Sequence, residues 1–291
     1  MIVTHTSKEI SDIVSSFIGQ EKSIGFVPTM GALHLGHLSL LERALNENDE
    51  VVLSIFVNPT QFNNAEDLEK YPRTFERDID IVKQLSDRIV VFAPSVEDIY
   101  GHEPIATVFD YEGLETEMEG ANRPGHFDGV GTIVKKLFEI VRPMRAYFGE
   151  KDFQQLQIIK KMVEKENFAI AIIGCPIYRE LSGLAMSSRN ERLTVEGKQK
   201  AAFIYNILQK TRDLFQNASI DECVDFVKKS FEDHSDFELE YFVIADENNL
   251  KTAVDKKENE KYRGFLVAHL EGVRLIDNVP MYEEVLMESL N

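Results

Sequence analysis

The chain has 291 residues, enough for one large domain or two ordinary ones. It is 43% hydrophobic and 28% charged, a globular composition, and its longest apolar runs, IVVFA and FAIAII, are too short to cross a bilayer. A formal charge of −18 opposes a broad nucleic-acid footprint, whereas an anionic small substrate requires the few cations to be gathered at its site.

The opening stretch SKEISDIVSSFI reads as a helix ahead of the first strand, and no secretory signal precedes it. IGFVPT, VVLSIFV, RIVVFAP, ATVFDY, RAYFG and FAIAII follow as short strands rich in Val, Ile and Phe. Helical patterns lie between them: LSLLERALNEN, TFERDIDIVKQL, GTIVKKLFEIV and DFQQLQIIKKMVEK. This alternation predicts βαβ units and a Rossmann-like parallel sheet flanked by helices. From Cys175-Pro176 onward the texture changes to two helical stretches and then ELEYFVIAD, YRGFLVAHLEG and VRLIDNVPM. That order predicts a smaller C-terminal α+β domain, with domains at 1–175 and 176–291. DKKENEKYRG reads as a solvated loop or a short helix. Cys175 and Cys223 form no C-x-x-C pair, which excludes a zinc site of paired thiolates and leaves reduced thiols in a cytoplasmic protein as the expectation.

PTMGALHLGH, residues 28–37, stands between the first of these strands and its helix. Ligands of open parallel sheets bind at the carboxyl ends of strands, where a helix start offers backbone N–H groups and its positive dipole end. Gly31 and Gly36 let the backbone turn sharply, and His34 and His37, three apart, fall on one side of the first turn. The pair can donate to a phosphate, cap the turn, or bind a metal with a distant third ligand. FVNPTQF ends the next strand with two neutral amides, Asn58 and Gln61, suited to a hydroxyl or carboxylate and equally to an Asn-Pro turn. Gly149-Glu150-Lys151-Asp152 repeats the strand–turn–helix grammar. It lacks Walker spacing, and Lys151 serves either as a charge for a phosphate or as a solvated neighbour of an N-capping Asp152. Of Gln154 and Gln155 at most one should be buried. Met186-Ser187-Ser188-Arg189 presents two hydroxyls and a guanidinium suited to phosphate oxygens. EGANRPGHFDGVG, with four glycines around Arg123 and His126, reads as a mobile lid or a surface loop. Asp78 and Asp80 admit Mg²⁺ binding or the solvent face of a helix, so the metal ligands stay unknown.

PTMGALHLGH resembles the H-x-G-H signature of the nucleotidyltransferase superfamily shared with class I aminoacyl-tRNA synthetases. The longer string GFVPTMGALHLGHLSLL, with FVNPTQF, GEKDFQQ and MSSRN in order, is similar to the pantothenate synthetase family, ligases of pantoate and β-alanine. The resemblance covers nearly all of residues 24–190 and implies ATP and Mg²⁺, a pantoyl adenylate, and release of AMP and pyrophosphate. It implies catalytic roles for His34, His37 and Lys151. It implies ATP contacts at Met30, Gly31, His34, Gly36, His37, Gly149 to Asp152, Tyr178 and Met186 to Arg189. For pantoate and β-alanine it implies Gln61, Asn58 and Gln155. A homodimer is the family expectation, with no membrane or nucleic-acid partner. Tyr178, where a small aliphatic residue is expected, and Arg192, where an aromatic is usual, depart from the pattern. Two rival readings are a nucleotidyltransferase that keeps the nucleotide in its product and a non-catalytic nucleotide-binding scaffold.

Overall fold

The computed structural model describes residues 1–282; the last nine residues of the expected second domain, 283–291, lie outside the described residues. Contacts divide the chain into two compact units, Met1–Tyr178 and Arg179–Asn291.

The first unit carries strands β1 (Ile2–Thr4), β2 (Ile24–Thr29), β3 (Glu50–Ile55), β4 (Ile89–Phe92), β5 (Arg145–Gly149) and β6 (Ala171–Cys175). Its helices are α1 (Ser7–Gly19), α2 (Leu35–Glu47), α3 (Ala65–Lys70), α4 (Phe75–Leu85), α5 (Val96–Tyr100), α6 (Met118–Asn122), α7 (His126–Val141) and α8 (Phe153–Lys165). The strands form one sheet in the order β1-β4-β3-β2-β5-β6, every pair parallel. The chain leaves β2 toward β3 and β4, then crosses back to place β5 on the other side of β2. That reversal opens a crevice at the carboxyl ends of β2 and β5, the usual ligand position in such sheets. β2, β3 and β4 are buried almost throughout because helices flank the sheet, which is why their sequences are apolar at successive positions. Val27, Leu41, Val51, Leu53, Val82 and Val91 belong to one core cluster that binds α2 and α4 to the sheet.

Helix α2 is tied at its far end to β5. The Tyr147 hydroxyl donates to Glu47 Oε2 at 2.9 Å and accepts from Asn48 Nδ2 at 2.7 Å, and Arg145 donates to Asn48 Oδ1 at 3.1 Å. Tyr147 is fully buried.

Residues 106–111 correct one expectation. ATVFDY has a strand's composition but forms no strand. Its alternate N–H groups, at Thr107 and Phe109, donate to Thr132 Oγ1 (2.7 Å) and Asp128 Oδ1 (3.2 Å), side chains four residues apart on α7. The segment's alternation is thereby matched to a helix face instead of a neighbouring strand. β1, short and half exposed, lacked any pattern to reveal it. The glycine-dense stretch 119–131 is also largely helical, in α6 and the start of α7. Gly129 serves close packing: a Cβ there would lie 2.3 Å from the Thr60 carbonyl oxygen and 2.7 Å from Gln61 Cα.

The second unit holds α9 (Val195–Phe215), α10 (Ile220–Glu232) and an antiparallel sheet of β7 (Phe237–Asp246), β8 (Tyr262–Leu270) and β9 (Val273–Pro280) in sequence order. Ile204, Leu208, Val227, Ile244 and Leu266 are among the residues of its core. Arg179 grips the buried Asp277 of β9 in two bonds of 2.7 and 2.9 Å. Residues 255–261 form a turn-rich exposed connection, as their charge suggested.

Gly129→Ala is expected to lower stability by about 1–3 kcal/mol through overpacking against immobile backbone. Urea denaturation checks this; an unchanged midpoint would show that α7 does not press on residues 60–61.

Candidate active site

The turn after β2 is built from positive backbone angles and a buried acceptor. Gly31 has φ +83° and Ala32 +51°, a reversal that suits glycine at the first position. Thr29 Oγ1 accepts from the Gly31 N–H at 3.2 Å. Asp78, from α4, accepts the next two N–H groups: Ala32 at 2.9 Å on Oδ2 and Leu33 at 2.8 Å on Oδ1. Its side chain is wholly buried, so Asp78 faces neither solvent nor the crevice; Asp80 is exposed and pairs with Lys83 at 3.7 Å. The sequence did hold a signal for this: Asp78 occupies the apolar register of α4 with Ile79 and Val82, where a carboxylate has to be paired.

His34 is the N-cap of α2 and His37 its third helical residue. The two side chains form a reciprocal capping box. His34 Nδ1 accepts from the Gly36 N–H at 3.1 Å, and His37 Nδ1 accepts from the His34 N–H at 3.3 Å. A nitrogen that accepts from an N–H carries no proton, so the proton of each ring sits on Nε2. The rings lie 4.1 Å apart. The anion-binding backbone expected at this helix start is thus partly spent: the Gly36 amide serves His34 and the His37 amide serves the His34 carbonyl. The cap thus leaves the proton of each ring on Nε2.

Burial pushes the His37 imidazole down to about 3, reinforced by the neighbouring His34 and by the Lys151 ammonium. His37 is therefore a neutral donor at pH 7. The same influence marks the proximity of two separate strand–helix turns, one after β2 and one after β5. Gly149 ends β5, and Glu150–Asp152 form a single 3₁₀ turn leading into α8. Asp152 makes no capping bond to α8, contrary to expectation, and is exposed. Gln154 is the buried member of the glutamine pair: it donates to the carbonyls of Leu114 (2.8 Å) and Glu117 (2.9 Å) and accepts from the Glu119 N–H (3.0 Å). Gln155 stays half-buried.

Asn58 and Gln61 follow β3. Asn58 is buried and its amide is committed within the protein: Nδ2 donates to Gln61 Oε1 and the Gly129 carbonyl, both at 3.1 Å, and Oδ1 accepts from the Tyr100 hydroxyl at 2.6 Å. The structure therefore gives Asn58 the work of holding Gln61. Gln61 Nε2 reaches Met30 Sδ at 3.1 Å, joining this turn to the histidine turn. From behind, buried His126 donates through Nδ1 to the Gln61 carbonyl at 2.8 Å and accepts at Nε2 from Arg123 at 3.2 Å. Burial and the Arg123 charge push His126 down to about 4. The holding roles of His126, Tyr100 and Asp78 were not read from the sequence.

Tyr178, 41% exposed, closes the first unit. Met186–Arg189 belong to the second unit. There Ser187 caps a 3₁₀ turn, Ser188–Arg192, by accepting from the Arg189 N–H at 3.2 Å. Buried Asn190 braces that turn with bonds to Glu180 and the Ala185 carbonyl, both 3.1 Å.

Among the described residues no group of three or more His, Cys, Asp or Glu side chains could hold a metal ion, and no helix is long and apolar enough to cross a membrane. The family model described as pantoate-beta-alanine ligase matches residues 2–280. This chain belongs to that family. A curated pantothenate synthetase of Flavobacterium psychrophilum is 54% identical over 281 residues, covering 97% of this chain and 100% of that protein. The pantothenate synthetase of Bacteroides fragilis is 47% identical over 283 residues, covering 97% and 100%. The crystal structure of pantothenate synthetase from Thermus thermophilus superposes with a TM-score of 0.89 at 39% identity, covering 97% of this chain and 100% of that one. The ligase of Francisella tularensis, solved with beta-gamma ATP and beta-alanine, has a TM-score of 0.80 at 39% identity, covering 98% and 99%. The family that the motifs resemble is the family to which the chain belongs, and the parallel sheet with its small antiparallel companion is that family's fold.

His37 and His126 both fall below the ordinary histidine value of 6.5. As pH drops below about 6.5 the unfolded chain takes up protons that the folded one refuses, so stability declines toward pH 4. His37→Gln and His126→Gln should each flatten that decline in denaturation midpoints taken between pH 7 and 5. A slope unchanged in both variants would contradict neutral burial of these rings.

Proposed function

We propose that the crevice between β2 and β5 is where this chain carries out its family's reaction. That reaction is the ATP-dependent ligation of pantoate to β-alanine through pantoyl adenylate, with release of AMP and pyrophosphate. A carboxylate does not react with an amine at neutral pH because oxide does not leave. Activation solves this: the pantoate carboxylate attacks the α-phosphorus of Mg·ATP, the α–β bridging bond breaks, and pyrophosphate departs. The β-alanine amine then attacks the acyl carbon and AMP leaves.

In the first step an anion meets a polyanion, and the residues of this chain answer that repulsion. His34 and His37 offer two Nε2–H donors fixed by the reciprocal cap. Because the rings are neutral, they stabilise negative charge on the phosphates without giving up a proton. Lys151 adds a full positive charge. The observation that carries this reading is that β2 and β5 are neighbouring parallel strands, which sets the histidine turn and the Lys151 turn side by side at one end of the sheet. Gln61, the Asn58 that holds it and the half-buried Gln155 are proposed for pantoate and β-alanine. Met30, Gly31, Gly36, Gly149, Glu150, Asp152, Tyr178 and Met186, Ser187, Ser188 and Arg189 are carried as ATP contacts on the resemblance. Mg²⁺ is proposed as part of the Mg·ATP substrate. Asp78 and Asp80 are not assigned to it, since the first spends both oxygens on backbone N–H groups and the second pairs with Lys83. Most of the rate comes from positioning and charge stabilisation.

A cytoplasmic homodimer is the family expectation and is proposed here too. Sedimentation equilibrium should give twice the 33.3 kDa chain mass; a single-chain mass rejects it.

The adenylation half is isolated by pantoate-dependent ATP–pyrophosphate exchange with β-alanine left out. His37→Ala and Lys151→Ala are each expected to reduce exchange by about 10²–10³-fold, the loss typical of a charge-stabilising donor. Near-normal exchange in both variants would remove the crevice from consideration, and formation of a nucleotide-containing final product would favour a nucleotidyltransferase.

A further inference from the structure

We propose that Asp78 is a positioning residue for the adenylation step, acting through the backbone of the histidine turn. It touches no substrate in this reading. The argument starts from geometry. Asp78 projects from α4 with its side chain wholly buried, and its two carboxylate oxygens take two consecutive backbone N–H groups, Ala32 and Leu33, at 2.9 and 2.8 Å. Thr74 Oγ1 donates to the same carboxylate at 3.2 Å and sets its rotation. Ala32 and Leu33 carry the chain from the left-handed Gly31 to the N-cap His34. A Cβ on Gly31 would sit 3.1 Å from Asp78 Oδ2, so the turn lies closely on the carboxylate.

The chemistry demands this residue type. Two adjacent N–H groups require two acceptor atoms a carboxylate's width apart. An asparagine supplies one acceptor and sets an amide N–H₂ against the other donor, leaving a buried N–H unpaired. With one anchor lost, the peptide preceding His34 can rotate. His34 then no longer presents its own N–H to His37 Nδ1, and the reciprocal cap that keeps both ring protons on Nε2 loosens. Asp78 therefore sets the tautomer and aim of the two donors from the far side of the turn.

The inference rests on the assignment of His34 and His37 to ATP, and the test separates the two. Asp78→Asn, Thr74→Val and the core control Val82→Ala, a fully buried neighbour on α4, are compared with the unaltered chain. ATP–pyrophosphate exchange is measured well below each denaturation midpoint, and the histidine ring nitrogens are followed by ¹⁵N NMR. Asp78→Asn should lower exchange turnover about 10–100-fold, as misplacement of a reacting group does. KM for pantoate should stay within about 2-fold, because Gln61 and Gln155 are untouched. The Nε2–H signature of the two rings should be replaced by mixed tautomers. Val82→Ala should keep turnover and signature even at an equal loss of midpoint. If Asp78→Asn does not fold, Thr74→Val decides, with about 3–10-fold lower turnover expected from one lost hydrogen bond. Unaltered turnover with unaltered ring signals overturns the proposal, as does full recovery of Asp78→Asn on raising Mg²⁺, which would make Asp78 a metal ligand. Altered ring signals with turnover intact would keep the positioning and instead defeat the assignment of the histidines to ATP.

Discussion

Two imidazoles that cap one another at the head of α2 decide what this crevice can do. A histidine alone on a loop can carry its proton on either nitrogen or on both. Here the N–H groups of His34 and Gly36 occupy the two Nδ1 atoms, so each ring is left as a neutral donor through Nε2. The spacing of three between the histidines is therefore a capping requirement before it is a ligand-binding one. The burial that keeps His37 uncharged and the nearby ammonium of Lys151 act in the same direction. Two fixed dipoles and the Lys151 ammonium are the groups proposed to meet a polyanion in this crevice.

The amides after β3 are treated in the same manner. Gln61 is gripped on its side chain by Asn58 and on its carbonyl by His126, while Tyr100 locks Asn58 in turn. His126 shows the opposite tautomer to the histidines of α2, with its proton on Nδ1, because its partner there is a carbonyl and its partner at Nε2 is the donor Arg123. Buried polar groups of this kind are costly unless each is paired, and here each of these has its partner.

The architecture was legible because its signals are periodic. Strands such as VVLSIFV are apolar on both faces, and only a sheet covered on both sides accepts such a run. The same rule failed for ATVFDY, since composition cannot tell a neighbouring strand from side-chain acceptors one helical turn apart, and Thr132 and Asp128 act as such acceptors. Glycine density pointed to a loop where α6 and α7 stand, because Gly129 is small where residues 60–61 press on it. Within the site, the residues proposed for substrates were read from motif strings, whereas the residues that hold those residues were not. Asp78 is 46 positions from the N–H it binds on Ala32, and no local pattern links them. Gln154 and Gln155 are adjacent and identical in type, and only the packing of α8 separates an internal brace from a half-exposed amide.

The far end of α2 carries a consequence of its own. Glu47 and Asn48 are fastened to Tyr147 and Arg145 of β5, the strand whose other end delivers Lys151. Helix and strand thus behave as two beams bolted together at the base, about 20 Å of helix below the histidines. Such a frame spreads little at its open end when temperature rises or a bulky ligand enters. The spacing of the histidine turn from the Lys151 turn is thereby tied to a joint remote from both.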